Sequence, residues 1–102
     1  MLFRSLEGAA ATLREYLDQW PQDEHVGEAR YLLAMTLRSL NRKEEAMTVT
    51  LELLKAEQKE GGGEQRWAYW QRRTGNQLAN DFFSNGDTAY ALAIYQIGRA
   101  HV

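Results

Sequence analysis

The chain has no cysteine and one proline, and its 12 basic and 14 acidic side chains leave a formal charge of only −2. Without cysteine there is no disulfide, no thiolate zinc site and no cysteine nucleophile, while either redox compartment stays open. The near balance of charge offers no field that would draw in nucleic acid or an anionic membrane surface. Apolar runs are only a few residues long, far short of the roughly 20 needed to span a bilayer. The start, Met1-Leu2-Phe3-Arg4-Ser5, lacks the apolar core of a secretory signal. A soluble piece is expected, cytoplasmic by default, and at 102 residues with 44% hydrophobic content it makes one small domain.

What is present is helical periodicity. Leu6, Ala9, Ala10, Leu13, Leu17 and Trp20 recur at three- and four-residue steps, which predicts a helix over 5–20 with one apolar stripe. Pro21 stops it, and Asp23 is a natural N-cap for a second helix over 24–40 that buries Ala29, Leu33, Leu37 and Leu40. Asn41 ends that helix. A third, from Lys43, carries Ala46, Val49, Thr50, Leu53 and Leu54 and runs to the Gly61-Gly62-Gly63 break. The fourth, over 64–84, sets Trp67, Trp70, Thr74, Leu78, Ala79 and Phe82 along one side. Asn85-Gly86 closes it, and Asp87 can cap a fifth helix containing Ala91, Leu92, Ile94 and Tyr95.

One unit occurs twice. Leu33-Ala34, Leu37 and Ala46 match Leu78-Ala79, Phe82 and Ala91, every pair 45 residues apart. Each unit is a helix, a short polar turn (Asn41-Arg42 or Asn85-Gly86) and a second helix with a small alanine at a close-packing position, followed by Thr50 or Tyr95. This pattern resembles the tetratricopeptide repeat, although the spacing of 45 exceeds the roughly 34 of that family. The resemblance implies an all-α fold of antiparallel helical hairpins stacked as a solenoid fragment, about five helices within residues 1–96. Helix 5–20 would be the second half of an earlier repeat, 24–59 the first full hairpin and 64–96 the second. The terminal string Ile97-Gly98-Arg99-Ala100-His101-Val102 reads back into codons matching the start of a sequencing-library adapter, so residues 97–102 are expected to be a non-native tail on a fragment of a longer repeat protein. Helices lacking their neighbours would favour self-association.

The resemblance also implies a groove lined by Tyr31, Met35 and Arg38 from the first unit and Arg73, Asn76, Asn80 and Phe83 from the second, binding a protein or peptide segment. No lysine stands at the companion positions of a carboxylate clamp. The alternative role is an accessory region of a larger enzyme or signalling protein. Arg66-Trp67-Ala68-Tyr69-Trp70-Gln71-Arg72-Arg73 mixes rings and cations as nucleic-acid readers do, but helical spacing assigns both tryptophans to the core. No nucleophile–base pair, paired carboxylates or metal-ligand spacing assembles, so neither catalysis nor a cofactor is expected. His25 stands in a turn, and Glu44-Glu45 offsets the dipole of the third helix.

Overall fold

The computed structural model describes residues 2–59 and 63–100, with the side chains of residues 5–59 and 64–97. The glycines at 61–62 and residues 101–102, on which parts of the reading above fall, lie outside them. The elements are α1 (Leu2–Gln19), α2 (Val26–Ser39), α3 (Lys43–Lys59), α4 (Gly63–Arg73), a π-helical stretch (Thr74–Ala79), α5 (Asn80–Ser84) and α6 (Thr88–Ala100). Since α4, the π-helical stretch and α5 follow without a break, the described residues form five helical rods and no strand. The all-α class and the helix count match the periodicity. The chain divides into two compact units, Met1–Leu53 and Leu54–Val102.

In the first unit α1 packs on α2. Its interior holds Ala10, Ala29, Tyr31, Leu33, Leu37, Ala46, Val49 and Leu53, among others. Two members of the expected α1 stripe fall elsewhere: Ala9 is exposed, and Trp20 is 59% exposed because α1 ends at Gln19 and leaves the indole beyond its last turn. Asp23 also differs from its expected role. α2 starts two residues later than predicted, with His25 at its N-cap position and no side-chain cap. Asp23 instead organises the connection, its Oδ1 accepting the Tyr16 hydroxyl at 2.5 Å and the His25 backbone N–H at 2.8 Å.

The end of α2 follows the turn chemistry. Asn41 has φ 64°, Arg42 N–H donates to the Leu37 carbonyl at 2.9 Å, and Asn41 N–H donates to the Arg38 carbonyl at 2.9 Å. These are the two bonds of a Schellman termination, which needs a left-handed residue that asparagine tolerates better than most. Leu33 and Val49 stand eight residues before and after Asn41 and line one cavity, so α2 and α3 run antiparallel there.

The second unit ends its first rod the same way. Gly86 has φ 86°, Asp87 N–H donates to the Phe82 carbonyl at 2.8 Å, and Gly86 N–H donates to the Phe83 carbonyl at 3.1 Å. Asp87 sits directly before α6, and the Phe82 and Tyr90 rings meet across the turn at 5.4 Å. Leu78, Ala79, Phe82 and Ala91 are fully buried, and their counterparts Leu33, Ala34, Leu37 and Ala46 are no more than 2% exposed. Leu92 in the fifth helix is 52% exposed, because one helical step from buried Ala91 turns it outward by about 100°.

A straight fourth helix was expected, and the π-helical stretch corrects it. Trp70, Thr74, Leu78 and Phe82 are all buried, yet steps of four on a 3.6-residue helix each overshoot by about 40°. Three such steps would carry Phe82 off the core face. The wider π turn takes up the excess and keeps both ends of the rod facing inward. The Thr74 hydroxyl donates to the Trp70 carbonyl at 2.7 Å where the widening begins.

Candidate functional site

The positions named for a groove do not share one environment. In the first unit Tyr31 is only 2% exposed, so its ring belongs to the interior rather than to an open face. This corrects the expectation: α2 turns that side of its helix inward together with Leu33, Ala34 and Leu37. Met35 and Arg38 are half-buried.

In the second unit Asn76, Asn80 and Phe83 are exposed, Phe83 by 60%. Asn80 Nδ2 donates to the Asn76 carbonyl at 3.0 Å, so these two residues are neighbours along one face. Arg73 is directed elsewhere. Its guanidinium donates to the Tyr69 hydroxyl at 2.7 Å and lies 5.8 Å from the Tyr69 ring centre and 5.7 Å from that of Trp70. The π turn between Arg73 and Asn80 rotates the later residues relative to Arg73, which the resemblance had grouped with them.

Asn80 is engaged on both sides. The Tyr95 hydroxyl donates to its Oδ1, while its Nδ2 holds the Asn76 carbonyl. The Asn80 backbone N–H donates to the Gln77 carbonyl, so the side-chain amide satisfies a carbonyl that the α-helical ladder would otherwise serve. Gly75 lies beneath the Tyr95 ring, whose nearest carbon is 3.6 Å from where a Cβ would stand. A hydroxyl, an amide and a glycine thus clamp α6 onto the widened turn.

An open apolar feature that was not evident from spacing lies in the first unit. A cleft of about 380 Å³ runs between α1, which supplies Thr12, Leu13 and Tyr16, and α2, which supplies Ala29 and Leu32 with His25 and Glu28 at the rim. Leu32, absent from the predicted stripe, is 45% exposed at mid-helix. It lines the cleft beside Ala29. At the turn end Asp23 holds Tyr16, and the Tyr16 phenol is pushed up to about 12, first by its hydrogen bond to Asp23 and then by desolvation and the nearby carboxylates. The same hydrogen bond, with that from the His25 backbone, holds the Asp23 carboxyl below its ordinary range. His25 Nδ1 lies 3.0 Å from Asp23 and its Nε2 lies 3.7 Å from Glu24.

A second cavity of the same unit, about 310 Å³, has Leu17, Leu33 and Val49 as its apolar wall and Arg14, Asp18, Arg30 and Glu52 around them. Arg14 bonds Glu45 at 2.8 Å, and Arg42 bonds Glu7 at 2.9 Å. In the aromatic and basic stretch of α4, Trp67 and Trp70 are buried as their spacing required, and Arg66 is engaged by Glu57 at 2.5 Å. Among the described residues no group of three His, Cys, Asp or Glu side chains could hold a metal ion, and no helix is long and apolar enough to cross a membrane. No family model matches this chain, and neither the curated proteins nor the solved structures with which it was compared include a match.

Proposed function

We propose that this chain is a protein-interaction module built from tetratricopeptide-like helical hairpins, whose mechanism is binding. The observation that carries this reading is the recurrence of one hairpin turn at a 45-residue interval, down to the same pair of backbone hydrogen bonds around Asn41 and Gly86. Repetition of a structural unit multiplies presentable surface, and hairpins with locked turns present side chains at little ordering cost. The surface so presented includes large apolar groups: Leu32 in the first unit, and Tyr69, Phe83 and Leu92 in the second. The stacking of such hairpins into a solenoid belongs to the same proposal and rests on the resemblance of the repeat.

The test is selection of ligands from a random peptide library on the immobilised chain, against an unrelated helical protein as control. The selected peptides are expected to share an apolar anchor and to lose affinity when Leu32→Gln or Phe83→Ser is introduced, with helicity unchanged by circular dichroism. No enrichment over the control, or binding indifferent to both substitutions, overturns the reading.

A further inference from the structure

We infer that the α1/α2 cleft docks a short segment carrying a large aliphatic side chain with a lysine or arginine beside it. The inference rests on the interaction role proposed above and gives it a partner chemistry. The floor of the cleft is made by Leu13, Ala29, Leu32 and the Tyr16 ring, and a volume of about 380 Å³ suits one or two aliphatic side chains. Burying Leu32 and its surroundings under such a side chain is favourable at roughly 25 cal/mol per Å² of apolar surface removed from water.

Charge decides which aliphatic segment. Two carboxylates stand at the turn end of the cleft: Asp23, which holds Tyr16 and His25 of its lining, and Glu24, 3.7 Å from His25 Nε2. Against them stands the imidazole of His25, already between Asp23 and Glu24. Even a protonated imidazole leaves that end net negative. The nearest α1 cation in sequence, Arg14, is held by Glu45. Asp23 is fixed by the Tyr16 hydroxyl and the His25 backbone, whereas Glu24, its side chain 85% exposed and only 3.7 Å from His25 Nε2, can turn from that contact onto an incoming ammonium or guanidinium. A cation on the docking segment is therefore attracted where an anion is repelled, and complementary charge governs specificity and encounter rate more than raw affinity.

The experiment is an amide NMR titration of the whole chain with two acetylated, amidated amphipathic peptides, one of leucine and lysine and the other with glutamate at every lysine position. The leucine–lysine peptide is expected to shift the amides of Leu13, Ala29 and Leu32. Leu32→Gln should abolish saturation, and Glu24→Gln should weaken binding by roughly threefold, the scale of one exposed ion pair. Equal binding of the glutamate peptide overturns the inference, as do shifts confined to other residues. Shifts at the cleft that grow with chain concentration in the absence of peptide also overturn it, by showing a second copy as the occupant. If library peptides depend on Phe83 but not on Leu32, the cleft assignment falls alone; if no peptide of either kind binds, the interaction role falls with it.

Discussion

Asn41 and Gly86 stand 45 residues apart and both carry left-handed backbone, φ 64° and φ 86°, at the same point of two hairpin turns. The conformation is intrinsic to the turn, because both of its hydrogen bonds require the chain to reverse at that residue. Only Gly86 meets this without a Cβ penalty. Gly86→Ala should cost about 1 kcal/mol, while Asn41→Gly should leave stability unchanged or raise it by a few tenths. Urea denaturation of the two variants checks this, and loss of stability in Asn41→Gly would show that the asparagine side chain serves the turn in another way.

The small residues after each turn face the same trial. Ala46 and Ala91 are fully buried, so Ala46→Leu and Ala91→Leu should each destabilise by about 1–3 kcal/mol through overpacking. Leu37→Ala should cost about 2–5 kcal/mol and Phe82→Ala about 3–5 kcal/mol, from lost burial and the cavity left behind. Matching effects at paired positions would confirm that the hairpins are equivalent in packing as well as in turn geometry.

Tyr16 and Asp23 set a pH window. The Asp23 carboxyl lies below its ordinary 3.8, so the stability it contributes is present above that value and is lost as pH falls through the lowered one. The Tyr16 phenol is raised from 10.0 to about 12, so its contribution is present below 10 and is lost as pH rises toward 12. The pair therefore supports the α1–α2 connection across the neutral range. Ultraviolet titration of the phenols should show one tyrosine ionising near 12 that returns toward 10 in Asp23→Asn. No change in that variant would break the assignment.

Glu57 on α3 has its side chain only 3% exposed and holds Arg66 by two contacts, at 2.5 and 3.2 Å. Removing the arginine strands a carboxylate away from water. Because the guanidinium itself is 42% exposed, the cost is discounted from that of a fully buried pair to about 1–2 kcal/mol for Arg66→Met. Glu57→Gln, which keeps a hydrogen-bonding group there, should cost less. Chemical denaturation of both variants gives the order, and a reversed order would mean that the Glu57 carboxylate has favourable contacts that do not depend on Arg66.

The contacts that seat α6 on the widened turn can be tested one at a time. Tyr95→Phe removes the hydroxyl that reaches Asn80 and should cost about 0.5–1.5 kcal/mol, the net worth of a typical hydrogen bond. Gly75→Ala should be neutral or stabilising by up to about 1 kcal/mol, since the new methyl meets the Tyr95 ring at an ordinary 3.6 Å. Thermal melting of the two variants tests whether the glycine is there for space.

By itself the sequence determined the helices, their apolar faces and the places where they reverse. Apolar steps of three and four, Pro21, Asn41 and Asn85-Gly86 are local signals, and a helix and its termination are built from local hydrogen bonds. The 45-residue echo was visible for the same reason, because identical turns need identical neighbours. Tertiary structure decided what each residue faces. Tyr31 is buried because α2 has neighbours on that side, and Leu32, one step on, is left in the open cleft between α1 and α2. The π turn that parts Arg73 from Asn80 appears only when Trp70, Thr74, Leu78 and Phe82 must all reach the core at once. Asp23 abandoned the cap that its position suggested because Tyr16, seven residues earlier on another element, offered a hydroxyl. A periodic pattern states which side of a helix is apolar, but only packing settles whether that side meets another helix or is left to meet a partner.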